Sequence, residues 1–282
     1  MAEETKPADK KEGAKPRGRR PARGSNQRPH ERRTFDSASW KPKTKLGLEV
    51  KEGKIKDVGE ILDKGLNIME AEIVDTLLPN LSTDLLFIGQ SKGKFGGGQR
   101  RVFKQTQKKT QEGNKPKFST YAVVGNEDGY VGVGQGKSKE TVPAREKALR
   151  NAKLNLIKIS RGCGSWECGC KQSHTVPFKV RGKCGSVIIE LIPAPKGTGL
   201  CVESECSKIL KLAGITDVWS RTRGQTGSKS NLVHACVVAL KQLIGTKVKS
   251  DQIERMGITE GIKETVNKTN DDEATVENEQ SE

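Results

Sequence analysis

The stretch Phe118-Ser-Thr-Tyr-Ala-Val-Val-Gly-Asn-Glu-Asp-Gly-Tyr-Val-Gly-Val-Gly-Gln-Gly-Lys137 decides the fold. Two runs of aromatic and β-branched residues flank Asn126-Glu-Asp-Gly129, whose Asn, Asp and Gly suit a tight reversal, so the runs read as antiparallel strands. Upstream, Arg101 to Thr110 reads as a third strand, joined to them through a polar loop over 111–117. Downstream, a helix is expected from about Lys139 to Ile157, with Pro143 in its first turn. Ala144, Ala148, Leu149, Ala152 and Leu156 recur at the spacing that faces a sheet. Three strands and one helix make a small α+β domain.

On the N-terminal side, Ile55, Val58, Ile61, Leu62 and Leu66 recur at helical spacing, and Ile68, Ile73, Leu77 and Leu78 suggest a second helix. On the C-terminal side the pattern restarts. Strands are expected at Thr175-Val-Pro-Phe-Lys-Val180 and Ser186-Val-Ile-Ile-Glu-Leu-Ile-Pro193, followed by the loop Ala194 to Gly199. Ser207 to Ala213 reads as a helix closed by Gly214, Asp217 to Thr222 as a strand, and Asn231 to Leu243 as a helix. Leu232, Val233, Cys236, Leu240 and Leu243 are its inward residues. The fold class is therefore α+β with two small domains, and 32% hydrophobic residues in 282 suit two small cores better than one large one. The expected boundaries are a disordered basic arm at 1–40, lead-in helices at 41–80, a first domain at 81–160, a second at 161–248 and an acidic tail at 249–282.

With 51 Lys and Arg against 35 Asp and Glu, the net charge of +16 favours a phosphate-rich partner. Residues 1–45 hold 14 basic and 6 acidic residues, and 251–282 hold 3 and 10. Between them remain 34 basic and 19 acidic residues, so the folded body is itself basic. No apolar run approaches the roughly 18 residues of a spanning helix, and no membrane partner is expected. The start Met1-Ala-Glu-Glu-Thr-Lys6 resembles neither a secretory signal nor a transit sequence, which gives a cytoplasmic expectation.

The candidate interface lies on the hairpin around Gln105 to Lys117. It carries Lys104, Lys108, Lys109, Lys115 and Lys117, with Arg100 and Arg101 at its base and Lys137 and Lys139 nearby. A thin cationic hairpin can reach packed phosphates and release their counterions, although lysines on exposed hairpins also serve to block edge pairing. Gly132-Val-Gly-Gln-Gly-Lys137 imitates a phosphate-binding loop but encloses three residues between Gly132 and Gly136 where that loop needs four. The glycines read instead as a strand exit where backbone approaches RNA phosphate.

Seven cysteines, an odd number, do not suggest a secreted disulfide framework. Cys163, Cys168, Cys170 and His174 form a ligand set that structural zinc accepts. Cys-x-Cys is an unusual zinc-ribbon spacing, and reduced buried thiols are the other reading. Catalytic zinc is not expected, because the His-x-Glu and Pro-Cys-x-x-Cys elements of nucleobase deaminases are missing. Cys201, Cys206 and Cys236 read as core, and His234 as a structural histidine. No catalytic residues and no catalytic cofactor are expected.

Trp40-Lys-Pro-Lys-Thr-Lys-Leu-Gly47, Val123 to Lys137, Gly185-Ser-Val187, Pro193-Ala-Pro-Lys-Gly-Thr-Gly199 and Leu212-Ala-Gly-Ile215 together resemble the S-five family of small-subunit ribosomal proteins, over about residues 40–245. Gly162-Cys-Gly-Ser-Trp-Glu-Cys168 looks like archaeal members specifically. The resemblance implies an N-terminal domain similar to a double-stranded-RNA-binding fold and a βα second domain of the family type. It implies small-subunit rRNA as partner at the body–head junction, neighbours of the S-four and S-eight families, mRNA near its entrance region, and a role in assembly and translational accuracy. The hairpin would be the family's finger toward rRNA. Residues 93–98 and 111–117 look longer than the family pattern. A free-standing RNA chaperone is the rival within binding proteins.

Overall fold

The computed structural model describes residues 40–93 and 98–261. The arm over 1–39, the segment 94–97 and the acidic residues 262–282 lie outside the described residues.

The lead-in segment forms three short helices, α1 (Lys45–Lys51), α2 (Val58–Asp63) and α3 (Ala71–Leu77), in place of the two longer ones expected. Gly65, at φ 67°, stops α2 after its last turn, where the Leu66 N–H donates to Ile61 O at 3.0 Å, the six-to-one bond of a Schellman cap. Leu66 is thereby turned outward and stays exposed. Glu70 fixes the opening of α1: its carboxylate accepts from the Lys43 and Thr44 backbone N–H groups at 2.8 and 2.7 Å and from Trp40 Nε1 at 3.0 Å. Burial pushes the Glu70 carboxyl up, but these donors outweigh it and hold the group below its ordinary value. Val50, Ile61, Ile73 and Val74 form a small core with Tyr130 and Leu156.

The first domain comprises β1 (Ser82–Leu85), β2 (Lys104–Thr110), β3 (Gly113–Gly125), β4 (Tyr130–Ser138), α4 (Thr141–Leu154) and β5 (Leu156–Lys158). The sheet runs β1-β3-β4-β5, with β2 also paired to β3. Asn126 closes the expected reversal, its Oδ1 accepting from the N–H groups of Asp128 and Tyr130 at 2.9 and 3.0 Å. The polar loop expected over 111–117 is instead mostly strand. Thr110 pairs with Gly113 across a two-residue turn, and β3 continues without a break from the hairpin tip into the buried sheet. Leu156, expected on the helix, opens β5.

Gly132, Gly134 and Gly136 all face α4, over Ala152, Ala148 and Ala144. A Cβ on any of them would collide with the helix backbone, so this glycine run is a seat for α4 rather than an approach to phosphate. The opposite face of the sheet carries Tyr121, Val123 and Val131 and joins the larger core.

The second part comprises β6 (Ser160–Arg161), β7 (Val180–Cys184), β8 (Val187–Pro193), β9 (Leu200–Cys201), α5 (Ser204–Leu212), β10 (Val218–Arg223), α6 (Lys229–Gly245), α7 (Ser250–Met256) and β11 (Thr259–Glu260). Its main sheet has the order β7-β8-β10-β9, with β9 and β10 parallel. The strand expected from Thr175 begins only at Val180; Thr175 itself makes a single bridge to Gly162. All five inward residues expected on α6 are buried.

Two expectations are corrected. Among the described residues there are two cores, but they do not divide at residue 160: Leu86, Tyr121, Val123 and Val131 share one core with Ile189, Leu210 and Leu240. Residues 250–260, assigned to the acidic tail, form α7 and β11, and β11 pairs antiparallel with β6. Arg161 fastens this junction from inside. Its buried guanidinium donates to the carbonyls of Glu127, Gly214 and Gly261 at 3.2–3.3 Å, joining the β3–β4 turn, the end of α5 and the chain after β11. Lys158 adds ion pairs to Asp63 of α2 at 3.0 Å and Glu260 of β11 at 3.4 Å. Among the described residues no helix is long and apolar enough to cross a membrane.

Gly134→Ala should lower the unfolding free energy by about 3 kcal/mol or more in denaturant titrations, because the added methyl must displace α4 backbone. An unchanged midpoint would contradict the seating of α4 on glycine.

Candidate nucleic-acid interface

β2 and β3 up to Lys117 are exposed on both faces apart from the half-buried Thr110, so no core holds this ribbon; its ladder hydrogen bonds and β3's continuity into the sheet do. Register decides where its charges point, since directly opposed residues share a face and alternate residues along a strand share one too. Lys104 opposes Ser119, Thr106 opposes Lys117, Lys108 opposes Lys115, and Ser119 opposes Lys137 of β4. Lys104, Lys108, Lys115, Lys117 and Lys137 therefore lie on one face, continuous with the face that carries Tyr121 lower in the sheet. Lys109 opposes Asn114 and points to the other face, beside Gln107 and Pro116.

Two clefts flank the root of the ribbon. One, of about 540 Å³, is lined by Lys117, Lys137 and Lys139 together with Lys147 and Pro143 of α4. Lys147 escaped the sequence reading because its neighbours Arg145 and Glu146 are also charged and exposed, and only the fold singles it out. The other, of about 200 Å³, brings Arg100 and Lys104 to the start of α6 at Gly227, Ser228 and Lys229. There the Arg100 guanidinium donates to Gly227 O at 3.3 Å. Arg101 is exposed at the base, with its backbone bonded to Gly89 and Gln90.

Away from the ribbon, Cys163, Cys168, Cys170 and His174 converge, with their ligand atoms all within 4.8 Å of one another. The Cys168 Sγ lies 3.8 Å from His174 Nε2, and the His174 Nδ1 lies 2.9 Å from Asp217 Oδ2. Asp217 also accepts from the Gly197 and Gly199 N–H groups at 3.1 and 2.8 Å and from the Thr216 hydroxyl at 2.8 Å. Backbone N–H groups of Lys196 and Cys170 stabilise the Cys168 thiolate and bring its pKa down to about 6, whereas burial pushes Cys163 up to about 11. Sequence reasoning saw the four ligand residues but missed Asp217, which reads as an ordinary strand residue. Cys206 and Cys236 are buried as expected; Cys201, expected in the core, is exposed on β9. His234, exposed on α6, packs edge-to-face on Tyr121, ring centroids 5.6 Å apart.

Two family models match this chain: "Ribosomal protein S5, N-terminal domain" over residues 99–160 and "Ribosomal protein S5, C-terminal domain" over 182–252. A relative named small ribosomal subunit protein uS5 from Nanoarchaeum equitans is 50% identical over 222 residues, 79% of this chain and 95% of the relative. Proteins of the same name from Methanococcus maripaludis and Methanocaldococcus jannaschii are 44% and 45% identical, over 82% and 80% of this chain and 96% and 98% of their own lengths. The chain belongs to the S5 family of ribosomal proteins. The first S5 match contains the whole β2–β3 ribbon with Lys137 of β4 and Lys139 just beyond it, and the cysteine cluster falls in the interval between the two matches.

The S5 ribbon carries an internal conflict. Lys108 and Lys115 are directly opposed, an arrangement that destabilises a strand pair, and the nearby Lys115–Glu112 ion pair at 2.8 Å is too exposed to offset it. Lys108→Thr should therefore slow amide exchange across the ribbon at low salt, by a factor corresponding to about 0.5 kcal/mol, and the difference should shrink as salt rises. Faster exchange in the variant would contradict the opposed register.

Proposed function

We propose that this chain is a structural, non-catalytic constituent of the small ribosomal subunit that grips small-subunit rRNA through the lysine face of its β2–β3 ribbon. The observation that carries this reading is the register: five lysines from three strands project from one face of a slender ribbon that has no core of its own. Ammonium groups so arranged match phosphates from adjoining backbones, and each contact releases condensed counterions. The ribbon's width suits a narrow groove between RNA segments, where shape and phosphate, rather than base edges, are the features to read.

The clefts extend the surface to both sides of the root. Lys139 and Lys147 continue it over the start of α4, and Arg100 continues it toward α6. The neighbouring ribosomal proteins are of the S-four and S-eight families, the rRNA contact lies at the body–head junction, and mRNA passes near its entrance region. These finer assignments follow from the family resemblance. The chain acts in the cytoplasmic ribosome and supports assembly and translational accuracy by holding rRNA segments in register.

Binding of small-subunit rRNA fragments, titrated with salt, tests the face directly. Lys108→Ala with Lys115→Ala should weaken binding and flatten the slope of log K against log salt by about 1.5, from roughly 0.7–0.9 per lost contact. Lys109→Ala, on the other face, should leave the slope nearly unchanged. Equal losses per charge from Lys109 and Lys108 would contradict the one-faced grip. Sedimentation of a lysate mainly as free protein at moderate salt would favour the free-standing chaperone.

A further inference from the structure

We propose that Cys163, Cys168, Cys170 and His174 bind one zinc ion, with Asp217 as the carboxylate that orients His174, and that the ion fastens the connector between the two S5 domains to the loop 194–199 and to α7.

The geometry of the donors is the first support. Tetrahedral zinc with thiolate bonds near 2.3 Å separates its ligand atoms by roughly 3.8 Å. The Cys168 Sγ to His174 Nε2 separation is 3.8 Å, and no pair of the four ligand atoms exceeds 4.8 Å. The second support is the imidazole's far side. Donation from Nδ1 to Asp217 at 2.9 Å leaves Nε2 as the lone-pair nitrogen, and Nε2 is the atom turned toward the thiols. Metal-binding histidines are held in this way by a carboxylate on the other ring nitrogen. Asp217 is itself held by Gly197, Gly199 and Thr216, so the ring has little freedom to turn away.

Plain buried thiols account less well for the cluster. Cys168 and Cys170 are only half-buried, and none of Cys163, Cys168 and Cys170 belongs to either hydrophobic core. The backbone is shaped to gather them: Lys171 adopts φ 54°, and Gly164 lies so close to the Pro177 carbonyl that no side chain fits there. Three sulfurs and one nitrogen select zinc among common ions, and four protein donors leave no open position for a substrate water, which makes the site structural. The ion takes the three sulfurs as thiolates, any proton still held on a sulfur passing to solvent, and the Cys163 thiol gives up its 3.1 Å bond to Cys168 O.

The surrounding contacts give the fastening role. Asp217 connects the site to the loop through Gly197 and Gly199. The Cys163 N–H donates to Met256 O at 2.7 Å, and Gly257 packs on the Lys171 carbonyl, so the end of α7 rests directly on the ligand loop.

The test uses the full chain purified under reducing conditions from zinc-supplied medium. Elemental analysis should find about one zinc per chain, and cobalt exchanged into the wild type should show thiolate charge-transfer and tetrahedral ligand-field bands. Cys168→Ser with Cys170→Ser should lose both. Asp217→Asn should keep the tetrahedral cobalt spectrum while its metal Kd, by chelator competition, rises about 10–100-fold. Chelation of the wild type should speed amide exchange over 250–260. Wild type that carries clearly substoichiometric zinc and gives no tetrahedral cobalt bands would overturn the site, whatever the variants do. An unchanged Kd in Asp217→Asn would overturn the role of Asp217, and unchanged exchange would overturn the fastening.

Discussion

The three glycines of β4 bring α4 to backbone distance from the sheet, and the direction in which the ribbon presents its lysines follows from that contact. Because Gly132, Gly134 and Gly136 take up Ala152, Ala148 and Ala144 without side chains of their own, one face of the sheet is occupied by helix along the length of the strand. Burial of the rest must then come from the opposite face. There Tyr121, Val123 and Val131 meet the residues of the second sheet and its helices in a single core. β3 is shared between that core and the ribbon, so the same face that is apolar at its foot becomes cationic at its tip. The ribbon's orientation is thereby set by the core, with no hinge between them.

The energetics of the two ends differ in kind. At the foot, burial of aliphatic side chains stabilises at about 25 cal/mol per Å² and is not weakened by charge screening. At the tip, opposed lysines repel one another and the strand pair holds mainly through its backbone ladder, helped by the Thr110 hydroxyl donating to Gly113 O at 2.7 Å. A surface of that sort is stabilised by its ligand: polyanion binding removes the repulsion that the free protein must tolerate. The junction behind it is rigidified by Arg161, whose guanidinium collects carbonyls from three segments. Burial depresses the pKa of this guanidinium, a measure of how far it has been taken from water.

Much of this was legible in the sequence. Alternating apolar residues around Asn126 to Gly129 marked the meander, and the inward residues of α6 stood at helical spacing. Residues 111–117 read as a loop because Gly113, Asn114 and Pro116 are turn-forming residues, and their place in β3 depends on pairing with β2. The glycine run announced a close backbone approach without naming the partner, which is α4 and not phosphate. Acidic composition after Asp251 concealed α7 and β11, whose pairing with β6 is a long-range contact. Lys147 and Asp217 belong to the candidate sites only through tertiary placement, and no local signal distinguishes either from its neighbours. The four clustered ligands, by contrast, were visible from residue type and spacing alone.

A density map of the small subunit carrying this chain is the most direct measurement. The account predicts rRNA phosphates within about 4 Å of Lys104, Lys108, Lys115, Lys117 and Lys137, on one side of the ribbon. A map in which that face meets protein or solvent while rRNA lies against the Lys109 side would contradict it.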